Sequence, residues 1–433
     1  MKQYLVIAAV TTILLGSCGT KEEAIADSRD YTVFMKSNVA AAKVKSINTE
    51  IAFWEHRLMM DTGSYVNMVE LARYQLSLFK TSGNIASLHT GDSLLRRCSE
   101  KLNNTSPEIL YSLSQNSITQ HQFLRSAAYI AGAEKAKGDP YVIRLLQFDT
   151  YMELGRYGEA YSSLSSLKDK ESFDYLIRRA KWEDHRGKLD EAIRFMETAL
   201  QKVKGKNDGL YYWALSNLSD MYGHEGRVKD AYKGYLEVLK KDPSNLYCLK
   251  GIAWIAFSHD HNYAEAKRIL HYILSQTAMP DLKLMLADIA EEEGLLAEKK
   301  QLLNEFLAVV TRPEYGNMYN KYLIHIYTED TYEFDKALAL SQQEINNRFT
   351  PETCSWLAWS YYKTGEEEKA VEMADKFVHN KTFEPEAVYH LACIYAANGN
   401  TKTAKNLLNE CLKSGFELGP VRVKKIEAEL NAL

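Results

Sequence analysis

The sequence predicts an all-α chain wound into a superhelix (α-solenoid) of about nine to eleven helix-turn-helix units, and three periodic features predict it. The eight prolines, at 107, 140, 243, 280, 313, 351, 385 and 420, recur every 33 to 38 residues, apart from one interval of 103 that holds three units. Alanines at 160, 192, 231, 266, 337, 370 and 404 run in step with them. Five residues before each alanine stands Gly155, Gly187, Gly226, Gly365 or Gly399, with His261 and Tyr332 in that place in two units.

Each feature has a physical reading. Proline lacks the N–H that a helix interior needs but is welcome in a first turn, where that donor has no intrahelical partner. A recurring proline therefore marks the start of a unit, and Ser106, Asp139, Asp242 and Thr350 precede prolines as candidate caps. Glycine past the end of the first helix supplies the left-handed residue that closes it. Alanine on the second helix lets the two backbones approach. The stretch from Tyr212 to Pro243 is the clearest unit: its apolar residues, Trp213, Leu215, Leu218, Tyr222, Ala231, Tyr235 and Leu239, recur at helical spacing. Two units depart from the pattern. Lys299 stands where alanine is expected after Pro280, and the unit from Pro107 keeps Ala127 and Ala131 without the turn glycine.

This period of about 34 residues with Gly, Ala and Pro punctuation resembles the tetratricopeptide repeat, over about Pro107 to Phe416. The resemblance implies a concave groove, lined by the first helix of each unit, that binds a protein or peptide partner. It also implies that groove positions lie 18, 15, 11 and 8 residues before the marker alanine. Those positions include Tyr319 and Tyr322 before Ala337, Trp359 and Tyr362 before Ala370, and Tyr389 before Ala404. Exposed Tyr and Trp dominate interface hot spots; the competing reading is that the same rings are core. A second function follows from the same rings, stacking on sugars in a glycan-binding outer-membrane lipoprotein used in nutrient capture or envelope maintenance. The column 11 before the marker reads Asp149, Lys181, Asp220, Ile255, Asp288, Ile326, Trp359 and Cys393. It lacks the asparagine with which related repeats clamp a chaperone's carboxylate tail.

The first residues read as a processing signal. Lys2 precedes an apolar run, Tyr4 to Leu15, that ends in Leu15-Gly16-Ser17-Cys18. This ending resembles the lipobox of bacterial lipoproteins, which implies removal of 1–17 and lipidation of Cys18. Each buried acyl CH₂ contributes about 0.8 kcal/mol, so several chains make a lasting membrane anchor. Gly19 and the following Lys21-Glu22-Glu23 resemble the signals of Bacteroidetes-type outer-membrane lipoproteins, on the periplasmic or the cell-surface face. The expected organisation is a leader at 1–17, a lipidated cysteine and tether at 18–45, a helical capping region with degenerate repeats at 46–106, the array at 107–418 and a capping helix at 419–433.

No catalytic, metal or cofactor motif is present among the nucleotide-binding, hydrolase and zinc patterns, so the expectation is a binding protein and not an enzyme. A net charge of −4 gives no reason to expect nucleic acid as a partner. Cys98, Cys248, Cys354, Cys393 and Cys411 are too scattered for a disulfide framework and read as apolar fillers. His185, His224 and His259 fall at the ends of three consecutive first helices. The helix dipole favours imidazolium there, and adjacent helix ends are too far apart to share one metal ion.

Overall fold

The computed structural model describes residues 24–36 and 39–433; the leader at 1–17 and Cys18 lie outside the described residues. A short helix α1 (Ser28–Met35) and a long α2 (Val39–Met60) precede ten antiparallel helix pairs. The first five are α3 (Tyr65–Ser82) with α4 (Ile85–Lys101), α5 (Pro107–Thr119) with α6 (Phe123–Lys135), α7 (Pro140–Glu153) with α8 (Tyr157–Ser165), α9 (Phe173–His185) with α10 (Leu189–Val203), and α11 (Asp208–His224) with α12 (Val228–Lys241). The next five are α13 (Leu246–Ser258) with α14 (Tyr263–Gln276), α15 (Leu282–Glu292) with α16 (Leu296–Val310), α17 (Asn320–Glu329) with α18 (Phe334–Asn347), α19 (Pro351–Lys363) with α20 (Glu367–Phe377), and α21 (Pro385–Ala397) with α22 (Thr401–Lys413). Helix α23 (Gly415–Ala432) ends the chain, and no strand occurs among the described residues.

The turn inside every pair carries one residue of positive φ: Gly83, His121, Gly155, Gly187, Gly226, His261, Gly294, Tyr332, Gly365 or Gly399. His261 and Tyr332 thus adopt the left-handed conformation that glycine takes elsewhere, and His121 does so in the unit that lacks a turn glycine. Each such side chain costs about 1–2 kcal/mol relative to glycine, which the surrounding packing outweighs. The marker alanines at 160, 192, 231, 266, 337, 370 and 404 are at most 1% exposed. All five described cysteines are free and buried, as fillers should be.

The prolines are less uniform than their spacing suggests. Pro107, Pro140, Pro351 and Pro385 open α5, α7, α19 and α21. Asp139 caps α7 by accepting from the Tyr141 N–H, and Thr350 forms a reciprocal capping box with Thr353. Ser106 makes no side-chain cap. Pro243 and Pro280 sit in the connections ahead of α13 and α15, so Asn245 and not Asp242 caps α13. Pro313 opens a 3₁₀ turn.

The tether expected at 18–45 needs correction. Residues 25–35 form a strap bound to the array. The Ile25 and Ala26 N–H groups donate to the Asp260 carboxylate at 2.9 and 2.8 Å. Tyr31 is completely buried beside α12 and α14, and its hydroxyl donates to Glu265. A buried aromatic ring removes roughly 150–250 Å² from water, enough to order a polar segment that composition alone marks as free.

The winding is tight. The Ser82 carbonyl accepts from Ala278 N at 2.8 Å and from Thr277 Oγ1 at 2.9 Å, and Arg348 meets Glu153 at 3.2 Å. The side-chain contacts in this set join residues 195 apart, close to six units. Met279, Phe349, Phe383 and Phe416, all from loops between units or near the chain end, rest on Gly83, Gly155, Gly187 and Gly223 of the preceding turn. The superhelix therefore completes a turn in about six units, and successive turns touch.

Two glycines separate the cost of backbone conformation from that of inter-turn contact. A Cβ on Gly155 falls 2.1 Å from the Phe349 carbonyl oxygen, whereas one on Gly226 meets open space. Both substitutions to alanine lose about 1–2 kcal/mol for the left-handed residue, and Gly155→Ala loses about 1–3 kcal/mol more through overpacking. Urea unfolding should rank the midpoints Gly155→Ala, then Gly226→Ala, then the parent; coincident variant midpoints would contradict the inter-turn contact.

Candidate functional site

The first helix of each pair turns one face inward, and these faces line the interior. Four adjoining clefts of about 260 to 490 Å³ share Glu384, Glu417, Lys321, Tyr322, His185 and His224, and so form one channel. Its wall runs from Glu153 of α7 round to Glu386 of α21, with α23 crossing it. The column read from sequence as 11 before the marker contributes Asp220 and Asp288 directly.

The channel is richer in acids than in cations, and most of its cations are already paired. Lys299 joins Glu291 at 2.6 Å and Asp330 at 2.5 Å. Lys321 joins Glu386 at 3.0 Å, and Lys181 joins Glu153 at 2.9 Å. Lys299, the residue that broke the alanine pattern, is thus a channel cation and not a packing defect. Among the described residues no such ion pair forms at Asp184, Asp288 or Glu384. Burial raises the Asp288 carboxyl to about 6, against the attraction of His325 and Lys299. Burial also raises Asp184, and raises Asp220 even though the Tyr235 and Tyr247 hydroxyls donate to it. Glu384 meets water in the channel, yet the enclosing walls raise its carboxyl too, with Glu417, Glu352 and Asp184 adding to the effect. Interior walls of low polarisability penalise each charge that lacks a partner.

Of the residues expected to line the groove, Tyr322 does so most openly. It is 41% exposed and borders two of the clefts. Trp359 and Tyr389 are buried: Trp359 stacks on His390 at 4.5 Å, and Tyr389 lies under the Arg422 guanidinium at 4.4 Å. Tyr319 and Tyr362 are half-buried, Tyr319 packed edge-on against Phe306 at 5.6 Å and Tyr362 against Trp359 at 5.3 Å. The open aromatic trough is corrected accordingly, because neighbouring rings and α23 cover it.

Of the histidine row, His185 and His224 border one cleft and His259 borders none of the four. His185 packs on Tyr157 at 4.1 Å, and burial lowers its pKa. His224 lies 3.6 Å from Glu417, and His259 Nδ1 lies 2.8 Å from Asp260.

Sequence reasoning missed the hub on α23. Arg422 reaches both Glu329 oxygens, at 3.0 and 2.9 Å, with each side chain 7% exposed. Lys425 meets Glu329 at 2.8 Å, and Lys424 meets Glu292 at 2.7 Å. Burial alone would raise the Glu329 carboxyl; His325, Arg422 and Lys425 outweigh it and hold it well below its ordinary range. The signal available in sequence was the Arg-x-Lys-Lys run in a helix otherwise read as a terminal cap.

Asp288 makes the channel's electrostatics measurable. Its native pKa lies above its ordinary value, so the folded state binds more protons between the two. Its contribution to stability is greatest at low pH and declines as pH rises through about 4 to 6. Asp288→Asn should melt at a higher temperature than the parent at neutral pH and lose that advantage near pH 4; a difference independent of pH would contradict the assignment.

Tetratricopeptide-repeat family models match residues 356–380 and 385–414. A comparison with curated protein sequences finds no match. Among solved structures, the type IV pilus biogenesis factor PilW is 17% identical, with 48% of this chain and 94% of that chain covered and a TM-score of 0.38. Yeast Tom70 is 13% identical over 93% of this chain and 96% of that chain, with a TM-score of 0.35. A tetratricopeptide repeat protein from Parabacteroides merdae is 16% identical over 68% and 98%, with a TM-score of 0.33. The two matched segments coincide with the α19/α20 and α21/α22 units, whose turn glycine, marker alanine and period recur through the array: the chain carries tetratricopeptide repeats and folds as their solenoid.

Proposed function

We propose that the protein is a lipid-anchored scaffold of the cell envelope that binds a protein or peptide partner in its interior channel. The observation that carries this reading is the continuous channel built by successive first helices, with acids, Asp184, Asp288 and Glu384, that form no ion pair among the described residues. Such a surface attracts cationic groups and excludes acidic ones. Carrying no motif for catalysis, the channel is read as a binding surface. Anchoring and outer-membrane placement rest on the resemblance of Leu15-Gly16-Ser17-Cys18 and Gly19 to lipoprotein signals. The glycan alternative loses its main support, since Trp359 and Tyr389 offer no free ring face.

A photo-reactive residue in place of Tyr322 should capture one protein partner in intact envelopes, whereas the same residue at Lys229, on an outer helix, should not. Equal capture from both positions would sink the channel assignment. Independently, Cys18→Ser should abolish lipid labelling and move the protein from the membrane to the soluble fraction; retention of the label would refute the anchor.

A further inference from the structure

The chain's last helix occupies the surface that a partner would use. Helix α23 is two segments joined at Gly419, whose φ of 76° and ψ of 165° suit glycine almost alone, followed by Pro420. The first segment is pinned. Trp254 Nε1 and Ser258 Oγ both donate to the Phe416 carbonyl at 2.9 Å, and the Phe416 ring sits on Gly223. The second segment is held differently. Only Gly419, Pro420, Arg422 and Ile426 are buried among the 18 residues of α23, against eight of the 13 residues of α21. Its attachment is both ionic, through Arg422 and Lys425 to Glu329 and through Lys424 to Glu292, and apolar, through the fully buried Ile426 with Leu430 and Leu433 packed beside it. Lys424 is 64% exposed while its partner Glu292 is 3% exposed, so the cationic end of the pair is open to solvent and sensitive to salt. Arg422, Lys425 and Ile426 lie at i, i+3 and i+4 and thus share one face.

We infer that residues 420–432 are a resident ligand of the concave face, able to swing out at Gly419, and that the partner presents an amphipathic helix with the same cationic and apolar face. This rests on the scaffold reading and specifies the partner's chemistry. The acids that receive α23, Glu292, Glu329 and, 3.8 Å from Arg422, Glu386, would receive the partner's Arg and Lys. The apolar position of Ile426 would be filled by the partner's aliphatic residue one helical turn on. Release at Gly419 leaves Phe416 in place, so the hinge opens the groove without unstacking the last repeat from the preceding superhelical turn.

The probe is a labelled synthetic peptide with the sequence of residues 420–433, titrated into the full chain. The double variant Arg422→Ala, Lys425→Ala should bind it about tenfold more tightly than the parent, because its own helix competes less. Adding Glu329→Gln to that variant should remove the gain. Equal affinity for parent and double variant, or equal binding of a peptide with Arg422→Glu and Lys425→Glu, would overturn the inference. Should the double variant lose helical signal, Lys424→Ala, at an exposed position, serves with amide exchange as readout. Residues 420–432 should then exchange faster than α13, more so when salt rises from about 50 to about 500 mM; unchanged exchange would overturn it. A partner captured at Tyr322 equally well by parent and variants would also overturn it, while leaving the scaffold reading intact.

Discussion

Contact between successive superhelical turns is the constraint on which the rest of the molecule depends. In a solenoid each unit touches only its neighbours, and stability is close to a sum of local terms. Here a second set of contacts joins residues 195 apart. A hydrogen bond adds about 0.5–1.5 kcal/mol net, so a few of them are small beside the burial inside ten helix pairs. Their effect is on shape. They hold the winding at about six units per turn and convert what would be an open groove into an enclosed channel. The turn glycines serve twice, closing a first helix and, at Gly155 and Gly187, leaving room for Phe349 and Phe383.

Enclosure then governs the electrostatics. An exposed ion pair contributes about 0–1 kcal/mol, whereas a buried charge without a partner costs several. The channel shows both outcomes: Glu329 is ion-paired with Arg422 and Lys425, and Asp288 is left to raise its pKa. Such a site is suited to bring in cationic side chains, and the chain supplies some of its own through α23. The strap at 25–35 is bound by the same logic on the outer side, where Asp260 accepts two backbone N–H groups and Tyr31 fills a gap between second helices.

The legibility of the site differs from that of the fold. The position of Tyr322 on the channel wall follows from its place before Ala337, because that offset is a property of one helix pair. Tyr389 shares the offset, and Trp359 stands 11 before Ala370, but both are buried, because what covers them comes from elsewhere: Arg422 approaches Tyr389 from the chain's last helix. Asp288 stood in a column read only for what it lacked. Its altered acidity arises from walls contributed by α15, α16, α17 and α23, which no local pattern reports.

The sequence by itself determined the helix pairs, their period, their turns and the small residues at their crossings. All of these follow from backbone sterics and contacts within about 34 residues, a distance over which spacing along the chain still measures spacing in space. Only the tertiary structure decided how tightly the pairs wind, which rings stay exposed, where the amino-terminal strap docks, and that the last helix lies inside the channel. Those outcomes depend on small rotations between neighbouring units that accumulate over six of them, and on contacts between residues whose separation along the chain carries no periodic signal.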